Sequence, residues 1–290
     1  TPGPCRNKIK QALEIMMSGT EQELQDFVSD FRTDFESMPL EDIAFPRGCN
    51  NIAIGTYAQG GINGDSTARQ FNISLGHYAS HGLTEGHNHI HIGQGAGRSM
   101  TCHDYTIMIG YYAGRCFHGS ENIFIGYEAG KGGSSTTTDN SGSVNLAIGQ
   151  GAGANLRGGG CNVFLGAYAG RKICSGNNNV AVGRKALFCG TTQSNSVAIG
   201  FCALHGNGST APTGQNNTAI GFETLRDLCT GCLNVAIGHI AGTAITEGNK
   251  NTFVGSYAGC SVNAGQNNTF IGCGAGKNIT SGDNNVAIGR

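Results

Sequence analysis

A short apolar triplet closed by glycine ends this chain at Asn285-Val286-Ala287-Ile288-Gly289, and near-copies recur from Asn51 onward. Aligned on its glycine, the motif falls at Gly55, Gly76, Gly93, Gly110, Gly126, Gly149, Gly166, Gly183, Gly200, Gly221, Gly238, Gly255, Gly272 and Gly289. Nine of the thirteen intervals are 17 residues, and the others are 21, 16, 23 and 21. A fixed period broken by occasional longer intervals marks a stacked repeat whose insertions fall in loops. The expected fold is therefore all-β: a β-solenoid (β-roll) of about 14 coils over residues 50–290, preceded by a short α-helical hairpin in residues 1–49.

Composition narrows the class. Glycine contributes 49 of 290 residues without a G-X-Y period, which excludes collagen, and the regular apolar triplets exclude plain disorder. A net charge of -1 gives no electrostatic case for nucleic acid or an anionic membrane. No apolar run approaches the ~18 residues of a membrane span, and no signal peptide opens the chain. Because the first residue is Thr1, a processed, trimmed or truncated N-terminus is expected.

The twelve cysteines do not share a phase in the repeat: Cys102, Cys116, Cys161, Cys174, Cys202, Cys260 and Cys273 lie 9, 6, 12, 8, 2, 5 and 1 residues past the preceding motif glycine. Stacked bridges or a metal ladder would repeat one offset. Reduced thiols serving as small apolar fillers are expected, as in a protein assembled in a reducing cytosol. Cys229-x-x-Cys232 has redox or metal spacing but lacks the second half of a zinc site.

The first fifty residues differ, with five basic and nine acidic residues and almost no glycine. Pro4 can open a helix carrying Ile9, Leu13, Met16 and Met17 up to Ser18-Gly19. Thr20 with Glu23 forms a capping box for a second helix, whose stripe is Leu24, Phe27, Val28, Phe31 and Phe35 before Met38-Pro39. Thr1-Pro2-Gly3-Pro4, this helix pair and Glu41 through Gly48 resemble part of the thumb region of T-even-like phage family B DNA polymerases. The resemblance implies no polymerase chemistry, since no palm motif follows. The segment reads either as a foreign piece joined near Cys49-Asn50 or as a helical cap on the first coil.

Positions in the repeat are counted from the motif glycine. Positions -3 and -1 are aliphatic almost throughout, with Thr218, Thr252 and Thr269 replacing the first member. Side chains two apart share a strand face, and this pair is expected to line the coil interior. Its -1 members include Ile54, Ile109, Ile125, Ile148, Ile199, Ile237 and Ile288. Position -2 carries Ala or a larger uncharged residue, including His91, Met108, Phe124, Phe164, Phe253 and Phe270. A strand apolar on both faces is buried on both, so the -2 column is expected to meet neighbouring chains along a shared trimer axis; the alternative is a solenoid whose other side folds back over this face. Position -4 is Asn in eleven of fourteen copies, among them Asn122, Asn145, Asn162, Asn234 and Asn251, and is expected to form a side-chain ladder from coil to coil. Position +3 is Ala in twelve of thirteen coils, and +4 is Gly in eight and Leu in three.

This N-x-A-I-G-x-x-A-G pattern over residues 50–290 resembles the head repeats of trimeric autotransporter adhesins, and still more the "NNTAIG" arrays of phage tail fibres. The resemblance implies a left-handed β-roll or related coil, a parallel homotrimer and a rigid attachment fibre. Many such arrays end in an intramolecular chaperone, which does not follow Arg290 here; nor is a translocation anchor present, so an excised shaft is expected.

Catalytic and ligand-binding motifs are weak. Ten acidic residues at scattered offsets make no recognisable pair for acid–base hydrolysis. His87, His89 and His91 alternate onto one strand face, but His91 belongs to the expected interchain row, and packing is preferred to a metal. Gly64-Asp65 and Gly282-Asp283 are too few for a calcium repeat, and the glycine-rich loops lack the Lys-Ser/Thr of a phosphate loop. Tyr57, Tyr78, Tyr112, Tyr168 and Tyr257 share position +2 and suggest a stacking ladder.

The sequence thus points to a non-enzymatic structural protein without cofactor: a trimeric shaft or adhesin roughly 65 Å long, from a virion tail fibre or a cell surface. Its loops at residues 59–70, 131–143 and 205–215 would meet a host receptor or glycan. The rivals are an ice-binding β-solenoid, disfavoured because its threonines are expected to point inward, and a fragment of a larger enzyme, either the polymerase or a polysaccharide-degrading tailspike.

Overall fold

A computed structural model describes residues 50–60, 69–133, 140–207 and 213–290. The expected helical hairpin and the tips of the three long loops lie outside the described residues. Those described belong to one compact unit, Ala44–Arg290, and contain strands and turns but no helix.

Fourteen three-residue strands, from Ile52–Ile54 to Val286–Ile288, form one parallel sheet in sequence order. Thirteen turns of chain link them, each returning the backbone one rung along the rod. Register follows the motif: Val180, Ala181 and Val182 pair with Val163, Phe164 and Leu165. The longest interval does not shift it, because Ile123, Phe124 and Ile125 still pair with Leu146, Ala147 and Ile148. A short parallel pair, Arg69–Gln70 with Gly86–His87, adds a second sheet near the N-terminal end.

Hydrogen bonding between rungs runs around the coil, beyond the sheet. Gly166 donates to Ile148 O at 2.8 Å, Tyr168 to Gln150 O at 2.8 Å, Gly170 to Ala186 O at 3.0 Å and Lys172 to Phe188 O at 3.0 Å. Alternating amides therefore pair with the rung on either side, which satisfies turn backbone that would otherwise be costly to bury. The motif glycine is required by this stacking. Gly166 has φ +130, and a Cβ there would lie 2.8 Å from the backbone of Gly183 on the next rung.

The sides of the strand are the reverse of the expectation. His91, Met108, Phe124, Phe164, Phe253 and Phe270 are fully buried inside their own chain, so they form no trimer axis. Ile54, Ile109, Ile125, Ile148, Ile199, Ile237 and Ile288 point away from the interior and do not form the coil core. The reason is volume. A 17-residue coil leaves a narrow interior, and the strand contributes one column to it, at -2. That column meets the +3 alanines (for example Ala113, Ala169 and Ala258) and a third column seven residues past the glycine. The third column comprises Leu83, Met100, Phe117, Leu156, Ile173, Leu228, Ile245 and Val262, all fully buried.

Within each coil the -2 and +4 residues share one space. Phe124, Phe164, Phe253 and Phe270 each lie against a glycine at +4, respectively Gly130, Gly170, Gly259 and Gly276. Leu187, Leu204 and Leu225 occupy +4 where -2 is Ala181, Ala198 and Ala219, and all six are buried. Large and small residues exchange places within one polypeptide, as close packing requires.

Candidate functional site

Inverting the strand leaves its two aliphatic columns facing outward. Residues at -3 are half-buried along most of the rod. At -1, Ile148, Ile199, Ile237 and Ile271 are 38%, 37%, 39% and 40% exposed. Neither column carries a charge. Exposed apolar groups widen the face: Tyr105, Val144 and Leu233 at -5, and Tyr111, Tyr127, Phe201 and Phe222 at +1. At the +1 edge the rings stack from rung to rung, with Tyr111–Tyr127 centroids 5.3 Å apart and Phe201–Phe222 5.4 Å apart.

The dimensions of this face matter. Thirteen intervals of ~4.8 Å make it ~62 Å long, and the three residues from -3 to -1 make it ~10 Å wide. The product, ~600 Å², stands at the top of the ~300–600 Å² range of the largest patch on a typical monomer. It is about three quarters of the ~800 Å² that one partner contributes to a standard stable interface.

Threonine also shares the outward face. Thr218, Thr252 and Thr269 pair with outward Val235 and Val286 along the -3 column, so the expectation that they point inward is corrected. They interrupt an aliphatic column and do not build a hydroxyl lattice.

The asparagine column at -4 is a buried hydrogen-bonded ladder. The Asn145 side-chain carbonyl accepts from both the backbone N–H and the side-chain amide of Asn162, at 3.1 and 3.0 Å. Asn162 in turn donates to Gly176 O at 2.9 Å. The same pattern joins Asn122 to Asn145, and runs through Asn217, Asn234, Asn251, Asn268 and Asn285.

The ladder changes chemistry at His89, Thr106 and Ser196. His89 Nδ1 and His91 Nε2 lie 2.7 and 2.9 Å from the one hydroxyl of Thr106. His91 Nδ1 lies 2.7 Å from Ser80 Oγ, which is itself 2.7 Å from Ser74 Oγ. Burial holds the His89 imidazole down to about 4, against a smaller upward pull from the Asp104 carboxylate. Burial lowers His91 further below its ordinary value, with the neighbouring His89 adding to the effect. The His87 ring takes no part in these bonds; the residue is only partly buried, and its backbone N–H donates to Asp104 Oδ1 at 2.7 Å. The three histidines expected on one strand face thus separate into a buried pair and one outside it. Among the described residues no group of three or more His, Cys, Asp or Glu is placed to hold a metal ion.

Position +2 is a ladder only at one end. Tyr57 and Tyr78 stack at 4.9 Å, whereas Tyr112 and Tyr168 each cover a glycine of the preceding rung, Gly95 and Gly151. Cys102, Cys161 and Cys273 are exposed thiols, and Cys116, Cys189 and Cys202 buried ones. Cys232 Sγ accepts the Gln215 N–H at 3.3 Å. No family model, curated protein or solved structure matches the chain.

Proposed function

We propose that this chain is a non-enzymatic structural and attachment element, a rigid shaft whose outward aliphatic face packs against sister copies in a parallel homotrimer. The observation that carries the reading is the uncharged aliphatic column pair running the length of the rod on its solvent side. Water-exposed Ile and Val along ~62 Å of sheet are stabilised by burial, at ~25 cal/mol per Å² of apolar surface removed from water. The repeat's resemblance to tail-fibre and adhesin arrays supports three copies around the axis and a place on a virion or cell surface, after assembly in a reducing cytosol. In that arrangement the interior columns make each rod stiff, the shared face joins the rods, and the loops remain outside to meet a host receptor or glycan.

A charge placed on each side of the strand tests the reading. Ile199→Lys with Ile237→Lys should leave the β-sheet circular dichroism intact while reducing the particle to a single chain. Phe164→Lys should abolish folding, because it puts an unpaired cation inside. Retention of the assembled mass by the double lysine variant would overturn the proposal.

A further inference from the structure

The charges on the rod are unevenly placed. Residues 140–222 contain no aspartate or glutamate, although the chain as a whole carries 19 acidic residues against 18 basic ones. Within that stretch Arg171, Lys172, Arg184 and Lys185 occupy two consecutive coils, and all but the partly buried Lys185 are exposed. Three of them converge on one half-buried ring: Arg171 Cζ is 5.9 Å, Lys172 Nζ 5.5 Å and Lys185 Nζ 5.8 Å from the Phe188 centroid. Arg184 lies over Phe201 at 5.8 Å.

Elsewhere on the rod the equivalent turn takes two forms: Arg98 and Arg115 lie over Tyr78 and Tyr112 at 4.4 and 4.5 Å, as Arg171 lies over Tyr168 at 4.9 Å, while two other cations are neutralised. Lys131 pairs with Glu128 at 2.7 Å, and Arg226 pairs with Glu223 and Asp227 at 2.8 Å each. Around Phe188 no carboxylate among the described residues comes within ion-pair distance of Arg171, Lys172 or Lys185. Three like charges gathered on one ring repel one another unless an anion joins them.

We infer that the cation cluster around Phe188 binds an acidic polysaccharide, a polymer of carboxylate-bearing sugars. The cations belong to two adjacent coils ~4.8 Å apart, at +5 and +6 of one and +1 and +2 of the next, and form one patch that a segment of an acidic chain can contact. Arg171 and Lys172 follow the turn that leaves the aliphatic face, so joining copies through that face leaves them accessible. A single-stranded nucleic acid fits less well, because it needs free aromatic faces for its bases. The Phe188 ring is already stacked on His205, at 5.0 Å and 4°. Four cations also fall short of the ~6–10 phosphate contacts of strong backbone binding. The inference rests on the attachment reading for its biological sense, while its test is independent of how many copies assemble.

The test uses the full chain with three probes: polygalacturonate, neutral dextran and a single-stranded oligonucleotide of matched charge. The expected result is binding to polygalacturonate that weakens as salt rises, with dextran unbound and the oligonucleotide weaker. Arg171→Gln/Lys172→Gln/Lys185→Gln should lower the polygalacturonate affinity at least ~10-fold, the loss of about 1.4 kcal/mol. The charge-matched control Lys250→Gln/Lys277→Gln/Arg290→Gln should keep it. Failure to bind polygalacturonate, equal weakening by both variants, equal binding of dextran or tighter binding of the oligonucleotide would each overturn the inference. A monomeric chain that still binds polygalacturonate through this cluster would remove the trimeric shaft and leave the site standing.

Discussion

Gly170 lies beneath the ring of Phe164, six residues earlier on the same coil, so closely that a Cβ at Gly170 would stand 2.6 Å from Phe164 Cδ1. One coil later the same two places hold Ala181 and Leu187, both fully buried. The pair shares one space, filled by a large residue at either place or, where both are small as at Ala147/Gly153 and Ala236/Gly242, by Phe164, Phe253 and Leu225 of the adjacent coils, and it fixes which side of the strand is inside.

Phe164→Ala should therefore cost ~3–5 kcal/mol through the cavity it leaves. Adding Gly170→Leu should recover part of that loss by recreating the Ala181/Leu187 arrangement, since Leu187 already adopts φ 54 there. Gly170→Leu alone should destabilise by overpacking, at ~1–3 kcal/mol. Denaturant melts of the two single variants and the double variant give the coupling; additive losses would refute the shared space.

At the asparagine ladder, Asn162→Ala removes the acceptor used by both Asn179 donors at 3.0 Å and the donor used by Asn145 and Gly176. Leaving such buried groups unpaired costs ~1–3 kcal/mol each. Asn285→Ala, at the half-buried end of the ladder, should cost less. Chemical denaturation of the two variants side by side measures the difference.

The buried histidine pair predicts an acid-sensitive N-terminal end. His89 and His91 hold fewer protons folded than unfolded, because burial lowers both below 6.5. Stability contributed by their neutral forms is thus fully present above pH ~6.5 and declines as pH falls toward about 4, by on the order of 3 kcal/mol for His89. His89→Asn restores the ladder residue and should reduce this dependence to the part that His91 contributes. Denaturation midpoints measured from pH 7.5 to 4.5 check both the slope and its reduction.

Much of this architecture is legible in the residues. The spacing of Gly149, Gly166 and Gly183 anticipates a solenoid with strands in register, and the 23-residue interval before Gly149 anticipates a loop that leaves the register unchanged. Which strand side is interior is not legible from alternation, because Ile-Ala-Ile is apolar on both faces and period two is symmetric between them. The deciding signal lay six residues downstream, in the exchange of Phe164/Gly170 for Ala181/Leu187. The column of Leu156, Ile173 and Ile245 lies beyond the strand, where no alternation marks it. His89 and His91 are buried together because a histidine replaces the ladder residue one rung below Thr106, a relation visible only once the coils are stacked.

The outward face itself is tested most directly by the mass of the unmodified chain in solution, measured by light scattering at several concentrations. Burying the Ile148–Ile199–Ile237 column against sister rods predicts a particle of three times the 29.9 kDa chain. A particle that stays at 29.9 kDa at every concentration, folded and soluble, would contradict it.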